Sequence, residues 1–409
     1  MCSKPATKLV TDVLGNSYTS DEFTNITPSV IKKIGKKLHT KKNHPIGLIN
    51  KQIQNFFYAT YLRAGGNPIF SMYDNISPVV TLEQNFDNLL VPADHPSRNL
   101  TDSYYLNKTH MLRAHTTAHQ RDLISSGLDS FLITGDVYRR DTVDATHYPV
   151  FHQLDGVRLF SKHQLFSKAK DIDKLNLFEN GSYTELKQAE HSLEAALAVA
   201  AELKNSLQEL AKALFGADIK YRWVEEQFPF THPSWELEIL YQDKWMEVLG
   251  CGVIKQEILK KAGAIDKVGW AFGMGLERLA MRLYDIPDIR LFWSEDTRFT
   301  SQFNVEDPST QITFKPFSKH PPVVNDISFW IPENFHENDF YDIVRSVGGD
   351  LIENVELIDV FENKKKQKTS HCYRITYRHM ERVLTLNEIN TIHENIGAEA
   401  YKSLNVIIR

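Results

Sequence analysis

The stretch GWAFGMGLERLAMRLY, residues 269–284, joins an apolar strand, two glycines and the start of an amphipathic helix. Gly273 and Gly275 allow a ligand to approach the backbone closely, as in the G-x-G-x-x-G loop of dinucleotide-binding proteins. Arg278, however, stands where that loop would carry its third glycine. An arginine in the first helical turn presents a planar cationic fork to an anion. The stretch therefore predicts a strand–turn–helix unit that binds an anionic ligand. On its own this pattern is weak evidence, and it gains weight only if a second cation from another strand faces the same site.

A predicted hairpin supplies that second cation, Arg139. FLITGDVYRRD (131–141) and PVFHQLDGVRLF (149–160) alternate with period two, which indicates two strands joined by a polar loop. Because strand side chains alternate between faces, Arg139 and Asp141 share one face. One face of the partner strand carries an aromatic ring, an amide and an acid: Phe151, Gln153 and Asp155. This mixture suits a phosphate, a stacked ring and an α-amino group, although a solvated sheet surface is the alternative.

Two further stretches supply aromatic rings and a carboxylate. In FPFTHPSWE (228–236), Phe228 and Phe230 lie two strand positions apart, so they either pack in the core or contact an apolar ligand group. Glu247 precedes the glycines Gly250 and Gly252, which would leave bare backbone for a ligand. Glu247 is therefore either a surface acid or a ligand for Mg²⁺.

The segment HTTAH (115–119) spaces His115 and His119 one helical turn apart, as zinc ligands would be. No third ligand accompanies them and the H-E-x-x-H pattern is absent, so we expect no zinc site. Thr116 or Thr117 is instead predicted to cap a helix, whose free N–H groups can bind a carboxylate or phosphate.

Composition limits the possible classes of protein. A chain of 409 residues predicts two or three domains, and a formal charge of −5 excludes a globally basic surface. Three widely separated cysteines fit a reducing compartment and do not support a zinc ribbon. No apolar run has the length of a membrane span, so we expect no membrane partner.

Helical periodicity marks two segments. Thr27 and Pro28 should open a helix with an apolar stripe that runs to Leu38. Its other face is basic, through Lys32, Lys33, Lys36 and Lys37, and is either solvated or in contact with RNA. Residues 185–214 should form a long amphipathic helix that packs on its own domain, with a coiled-coil dimer as the alternative.

The last third of the chain has the element order β-α-β-β-α-β, typical of a ferredoxin-like domain, after an irregular segment at 293–322. Its basic residues form a cluster: Lys364, Lys365, Lys366, Lys368, Arg374, Arg378 and Arg382. A solvated loop would explain the lysines alone. The arginines that alternate with Tyr373 and Tyr377 favour contact with an RNA backbone and stacking on bases.

The two separated arginines resemble motifs 2 and 3 of class II aminoacyl-tRNA synthetases. The stretches HMLRAHTTAHQ, GDVYRRD, THYPVFHQLDG, FPFTHPSWE, EVLGCG and the motif around GMGLER are similar to the phenylalanyl-tRNA synthetases, from about residue 44 onward. The tail, with DISFWIP and CYRITYRHMER, is similar to the anticodon-binding domain of their single-chain organellar members. The resemblance implies an α+β chain with a class II antiparallel-sheet catalytic domain flanked by helices. The implied divisions are an N-terminal extension (1–43), the catalytic domain (44–292), a linker (293–322) and a ferredoxin-like βαββαβ anticodon-binding domain (323–409).

The resemblance also implies how ATP is bound. Arg139 would hold the α-phosphate and the amino-acid carboxylate, Arg278 would clamp the γ-phosphate, and Glu247 would bind Mg²⁺. Phe151 would stack on adenine, with Asp141 near its amino edge. The loop that closes over the nucleotide would include Thr146, His147 and Tyr148.

For the amino acid, the resemblance implies a polar end and an aromatic pocket. The polar end would involve His115, Thr117, Ala118, His119, Gln120, Gln153, Leu154 and Asp155. Phe228 and Phe230 would sandwich the phenyl ring over Gly250 and Gly252, and Ala271 and Phe272 would line the end of the pocket. Ala271 would limit what fits at the para position. Asp155 stands where the family commonly has glutamate, one methylene longer.

The implied function is ATP-dependent ligation of L-phenylalanine to tRNA(Phe) through a phenylalanyl-adenylate, by a monomer with Mg²⁺ in the mitochondrial matrix. The tRNA would contact Lys364, Lys365, Lys366, Arg374, Arg378 and Arg382. One alternative is a non-catalytic RNA-binding paralogue, which has no reason to keep Arg139, Glu247 and Arg278 together. A histidine-based metallohydrolase rests on HTTAH alone and is weak.

Overall fold

The computed structural model describes residues 10–241, 243–316, 320–364, 367–380 and 382–409. The strands are Val10–Val13 (β1), Asn16–Thr19 (β2), Ser71–Tyr73 (β3), Val79–Thr81 (β4), His110–Leu112 (β5), Ser130–Tyr138 (β6), Val150–Phe160 (β7), Tyr221–Glu226 (β8), Thr231–Tyr241 (β9), Lys244–Ile254 (β10), Val268–Gly275 (β11), Val323–Trp330 (β12), Ile352–Asn363 (β13), Lys368–Tyr377 (β14) and Ile407–Ile408 (β15). The α-helices are Pro28–Ile31 (α1), Pro45–Thr60 (α2), Leu82–Asn85 (α3), Gln120–Ser125 (α4), Lys162–Leu165 (α5), Leu193–Phe215 (α6), Gln256–Lys261 (α7), Leu276–Leu283 (α8), Thr297–Thr300 (α9), Glu337–Gly348 (α10) and Leu386–Leu404 (α11).

A seven-stranded sheet forms the catalytic domain, in the order β3-β6-β7-β11-β10-β9-β8. Its neighbouring strands pair antiparallel except at one edge, where β3 runs parallel to β6. The predicted antiparallel catalytic sheet is thus confirmed. Strand β11 lies between β7 and β10 and runs directly into α8, so it brings the GMGLER stretch beside the predicted hairpin.

Helices α2 and α6 pack against the sheet. Helix α6 begins eight residues later than predicted, because Ser192 caps it by accepting a hydrogen bond from the backbone N–H of Ala195. Its buried stripe, which includes Val199, Leu203 and Leu207, joins the catalytic core. The prediction that this helix packs on its own domain is confirmed.

The predicted N-terminal helix is much shorter than its apolar pattern suggested. Helix α1 ends at Ile31, and Gly35 adopts a left-handed φ of +79° that a regular helix does not contain. Val30 and Leu38 still reach the catalytic core. The lysines between them therefore lie on irregular backbone, and the expected helical face is wrong.

The segment expected to be a linker is irregular but packed. Phe299, Phe303 and Phe314 are buried in the core of the catalytic domain. The backbone N–H of Phe314 also donates to the carbonyl of Tyr284 at 2.7 Å. Residues 299–314 therefore extend the catalytic domain beyond its expected end.

The C-terminal domain has the predicted βαββαβ order, and its antiparallel sheet is arranged β13-β14-β12-β15. Helices α10 and α11 pack together on this domain, and their buried residues share one core with Phe329, Tyr373 and Tyr377. This arrangement confirms the ferredoxin-like prediction.

The C-terminal domain also holds the loop between β6 and β7. Val143 of that loop is buried in the C-terminal core, and its carbonyl accepts from the N–H of Val355 at 3.0 Å. Arg345 donates to the carbonyls of Asp141 and Thr142. The loop that follows Arg139 is therefore positioned by both domains.

Candidate active site

A cavity of about 620 Å³ lies over one face of the catalytic sheet. Twelve residues predicted for the site line it: His115, Thr117, Arg139, Asp141, Gln153, Asp155, Phe228, Phe230, Glu247, Gly250, Ala271 and Phe272. They come from segments up to 157 residues apart, so the fold brings together most of what the sequence pattern singled out.

Arg139 is held in place at the end of β6. Its Nε donates to the carbonyl of Ala114 at 2.8 Å, and its guanidinium lies 5.3 Å from the centre of the Phe151 ring. Burial lowers the pKa of Arg139, while the carboxylates of Asp141, Asp155 and Glu247 act in the opposite direction. Arginine stays charged under these conditions, so a fixed cation with free Nη donors faces the cavity.

Arg278 and Glu247, predicted to bind the γ-phosphate and Mg²⁺, pair with each other at 2.8 Å. Both side chains are about half exposed, so their attraction is screened by water and the pair can exchange partners. Arg278 lies in the first turn of α8, as the GMGLER stretch predicted.

Glu236 is a site residue that the sequence reasoning missed. It lines the cavity on β9, next to β10, and burial together with the charge of Glu247 raises its pKa. Two neighbouring carboxylates fit Mg²⁺, which binds through one or two carboxylates plus phosphate and water. Strand alternation was the available signal, because Trp235 packs in the core and places Glu236 on the opposite face.

Asp155 marks the polar end of the cavity. It is buried, accepts a hydrogen bond from the Thr117 hydroxyl, and burial raises its pKa to about 6. A Cβ on Gly273 of β11 would lie 2.8 Å from Asp155 Oδ1, so β11 needs a glycine at this position. An ionised carboxylate in this position would attract an ammonium group strongly.

Two buried polar atoms of the cavity lining lack partners. His115 Nδ1 and Gln153 Oε1 are buried without a hydrogen bond, and both residues line the cavity. Burial lowers the pKa of His115 to about 3, so its imidazole is neutral. Leaving a buried polar atom unpaired costs about 1–3 kcal/mol, which is typical of a site that a ligand completes.

The aromatic wall differs from its prediction. The rings of Phe228 and Phe230 stack on each other, with centroids 5.9 Å apart and planes 7° from parallel. A phenyl ring between two parallel rings needs about 7 Å, so the expected sandwich is wrong and the pair forms a single wall. Gly250 supports this wall, since a Cβ there would lie 2.8 Å from the Phe228 ring.

Several predicted amino-acid contacts point elsewhere. Leu154 is buried in the core beneath the sheet, because it alternates with Gln153 and Asp155. Phe272 borders the cavity, but its ring stacks on Phe57 of α2 on the far side of β11. These two predictions are wrong for the side chains.

Only two of the predicted HTTAH contacts, His115 and Thr117, line the cavity. Thr116–His119 forms a 3₁₀ turn with no side-chain cap, so the predicted threonine cap is wrong. His119 is buried, accepts from Arg113 Nη1 at 2.9 Å and does not line the cavity. Three other predicted amino-acid contacts do not line the cavity either: Ala118, Gln120 and Gly252. Four of the predicted ATP contacts also lie outside its lining: Thr146, His147, Phe151 and Arg278. A Cβ on Gly252 would meet Thr231, so this glycine serves strand packing.

Asp144 organises the loop between β6 and β7. It accepts from the backbone N–H of Thr146 at 2.7 Å and of His147 at 2.9 Å, and it pairs with the His147 ring at 2.7 Å. This pair lowers the pKa of Asp144 and raises that of His147. Tyr148 differs from its prediction, because its hydroxyl donates to Asp350 and its ring stacks on Trp293, away from this cavity.

The arginines predicted to contact tRNA in the C-terminal domain already form ion pairs within the protein. Each arginine pairs with an acid of the same domain: Arg374 with Asp326, Arg378 with Glu353, and Arg382 with Glu388. Tyr373 and Tyr377 are fully buried, so the expected base stacking on their rings is wrong. Lys364 is exposed, whereas Lys365 and Lys366 lie outside the described residues.

Within the described part of the chain, no three histidine, cysteine, aspartate or glutamate side chains gather as a metal site. Across the same residues, none of the helices is long and apolar enough to cross a membrane.

Comparison with known proteins identifies the family. Residues 29–175 and 182–303 match the model for the class II core domain of tRNA synthetases (F), and residues 318–409 match the ferredoxin-fold anticodon-binding domain.

The mitochondrial phenylalanine–tRNA ligase of Mus musculus is 57% identical over 97% of this chain and 88% of its own length. The probable mitochondrial enzyme of Drosophila melanogaster is 50% identical, over 97% and 92% respectively. The chloroplastic/mitochondrial enzyme of Arabidopsis thaliana is 48% identical, over 95% and 83%. The chain belongs to the phenylalanine–tRNA ligases, a family of class II aminoacyl-tRNA synthetases.

Proposed function

We propose that this chain ligates L-phenylalanine to tRNA(Phe) in two steps, with ATP and a phenylalanyl-adenylate intermediate. The observation that carries the proposal is the single cavity in which Arg139, Glu247 and the polar end around Asp155 meet the Phe228–Phe230 wall. A cationic site for phosphates therefore adjoins a site for an ammonium group and an apolar ring.

Phenylalanine fits the cavity in one orientation. The α-ammonium group would lie against Asp155, while the unpaired atoms of Gln153 and His115 supply further hydrogen bonds. The phenyl ring would pack along the Phe228–Phe230 wall towards Ala271. This orientation leaves the carboxylate beside Arg139.

In the first step, a carboxylate oxygen of phenylalanine attacks the α-phosphorus of ATP. The new C–O–P linkage forms while the bond to pyrophosphate breaks, and pyrophosphate carries away the electron pair. Arg139 would stabilise charge at the α-phosphate and Arg278 at the leaving group, so positioned cations replace a general base. Mg²⁺, held by Glu247 and Glu236, would neutralise phosphate charge when bound.

In the second step, a ribose hydroxyl at the tRNA 3′ end, the 2′-OH in this family, attacks the carbonyl carbon of the adenylate. The ester forms and AMP leaves. The ferredoxin-like domain would bind the anticodon, as the name of its family states. Its three paired arginines would have to exchange an acid for a phosphate if they contact RNA.

Selection against tyrosine would depend on the closed end of the pocket. An apolar pocket rejects an added hydroxyl only weakly, by about 10²-fold. Ala271 is 7% exposed and lies in a cluster with Phe230 and Ile258, so the wall cannot retreat easily. Steric exclusion at Ala271 would therefore contribute most of the discrimination.

The cellular setting follows from the relatives, whose names place them in mitochondria. We propose that the chain serves mitochondrial protein synthesis as a monomer, as single-chain members do. The non-catalytic alternative gains no support, since Arg139 and Glu247 line one cavity and Arg278 pairs with Glu247.

Amino-acid-dependent exchange of labelled pyrophosphate into ATP tests the proposal, across all standard amino acids and without tRNA. We expect exchange with phenylalanine, weak exchange with tyrosine and none with the rest. Exchange driven by another amino acid would reassign the substrate, and no exchange at all would support the non-catalytic paralogue.

A further inference from the structure

A second cavity, of about 910 Å³, lies where the N-terminal segment, the catalytic domain and the C-terminal domain meet. We call it the lysine cavity, because six cationic side chains line it against two acids, Glu295 and Asp350. The cations are Lys32, Lys33, Lys36, Lys41, Lys42 and Arg345. Since the whole chain carries a formal charge of −5, this concentration of positive charge reverses the overall balance.

Most of this charge is not neutralised. Lys33 pairs with Asp350 at 3.4 Å and Lys36 with Glu295 at 3.5 Å, both at the loose end of the ion-pair range. Arg345 binds only neutral backbone carbonyls, so its charge remains. Three exposed lysines of the lining pair with no acid of the described chain: Lys32, Lys41 and Lys42.

An aromatic pair forms part of the wall. The rings of Tyr148 and Trp293 stack 5.8 Å apart, and the ammonium group of Lys33 lies over both. The indole N–H of Trp293 is buried without a partner. Such a donor costs about 1–3 kcal/mol until an acceptor reaches it, and a phosphate oxygen is a suitable acceptor.

We propose that the lysine cavity binds phosphate groups of the RNA backbone of the tRNA substrate. The unpaired lysines are exposed and lie along one N-terminal segment, residues 32–42, an arrangement that suits a chain of phosphates better than one enclosed small anion. The loop between β6 and β7 also separates this cavity from the active site, with Asp141 on one side and Tyr148 on the other. The two cavities therefore adjoin the same loop, which places the lysines near the site where the 3′ end of the RNA would react.

The identity of the RNA rests on the proposed function, but the binding test does not require catalysis. The test variant is Lys32→Gln/Lys41→Gln/Lys42→Gln. The control is Lys168→Gln/Lys170→Gln/Lys220→Gln, which removes the same charge from exposed lysines of the catalytic domain outside the cavity. Binding of tRNA(Phe) transcript is measured by fluorescence anisotropy across a salt series, with pyrophosphate exchange measured in parallel without RNA.

For the test variant, we expect the slope of log K against log salt concentration to fall by about 1 per lost phosphate contact, up to about 3. Affinity at fixed salt should fall about 10-fold or more, while exchange without RNA stays within about two-fold. The control should keep the wild-type slope and affinity. Trp293→Phe should also weaken RNA binding, with an unchanged Tm as the check on folding.

Unchanged affinity and slope in the test variant would overturn the proposal, as would an equal loss in the control. A raised KM for ATP with normal RNA binding would instead identify a small-polyphosphate site. Failure of the proposed function is distinguishable, because a wild-type chain that binds RNA but shows no exchange with phenylalanine would refute only the ligase assignment.

Discussion

The catalytic cavity and the C-terminal domain differ in how fully their buried polar groups and cations are paired. In the catalytic sheet, Arg139 faces a cavity, and His115 and Gln153 keep buried polar atoms unpaired. In the C-terminal domain, the arginines expected to bind RNA are each paired with an acid of their own domain, as Arg278 is with Glu247. The catalytic cavity therefore differs through Arg139 and through the unpaired atoms of His115 and Gln153, which a bound ligand would pair.

The difference shows which part of a pattern carries information. Strand alternation groups residues by face, yet it does not say which face is covered by helices. In the hairpin, the polar face meets the cavity, whereas Tyr373 and Tyr377 face α10 and α11. A strand face that carries an acid and an amide, such as Asp155 and Gln153, therefore predicted a ligand site more reliably than a face that carries tyrosines.

The largest expected effect separates two adjacent arginines. Arg139→Gln should lower phenylalanine-dependent exchange by about 10²–10³-fold with little change in Tm, because its guanidinium faces the reacting phosphate. Arg140→Gln should lower the Tm with little change in the exchange rate. Arg140 pairs with buried Asp342 of the C-terminal domain, and losing the partner of a buried charge costs about 3–5 kcal/mol. Exchange rates and thermal melts of both variants test this contrast. Similar losses of activity in the two variants would refute it.

A second prediction concerns the buried acid. Asp155→Asn should raise the KM for phenylalanine by about 10²-fold, because the ammonium group loses a buried ionic partner. In the wild type, the KM should rise as the pH falls through about 6, where Asp155 takes up a proton. Steady-state exchange between pH 5 and 8 measures both effects.

The same residue predicts a stability effect with a defined sign. Because burial raises the pKa of Asp155 above its unfolded value, the folded state holds this proton more tightly, and its contribution to stability is lost as pH rises from about 4 through 6. Asparagine cannot ionise, so the Asp155→Asn variant should melt at a higher temperature than wild type at pH 8. A lower Tm at that pH would show that Asp155 stabilises the fold.

A smaller effect is expected at the pocket end. Ala271→Gly should admit para-substituted phenylalanines with a gain of roughly 10–100-fold in kcat/KM, because it removes one methyl group from a closed wall. Phe272→Leu serves as a neighbour whose side chain points into the core, and it should alter Tm without changing selectivity. Unchanged discrimination in the Ala271 variant would place the wall elsewhere.

The smallest effect is expected in the C-terminal sheet. Arg374→Gln breaks an exposed ion pair with Asp326, so the free energy of unfolding should change by less than about 1 kcal/mol. We expect the affinity for tRNA to change less than about two-fold, well below the effect of the lysine-cavity variant. A ten-fold loss would mean that this arginine leaves Asp326 for a phosphate in the complex.

Much of the fold followed from local patterns: the hairpin, the glycine–helix unit and the βαββαβ order each have short-range signals. The misses had both local and long-range causes. Helix α6 begins at Leu193 rather than 185, because Ser192 caps it locally. Tyr148 instead bonds Asp350, which lies 202 positions further along the chain. Ion pairs of the Arg374–Asp326 type also depend on strand register, which no local pattern specifies.

The central claim is that Arg139 and Arg278, from separate elements, act as two jaws of one ATP site. Phenylalanine-dependent pyrophosphate exchange in wild type, Arg139→Gln, Arg278→Gln and the double variant tests it most directly. The account predicts that each single change lowers the rate by at least about 10²-fold, and that the double change costs less than the product of the two. Wild-type exchange without phenylalanine, or an Arg278→Gln variant as active as wild type, would contradict it.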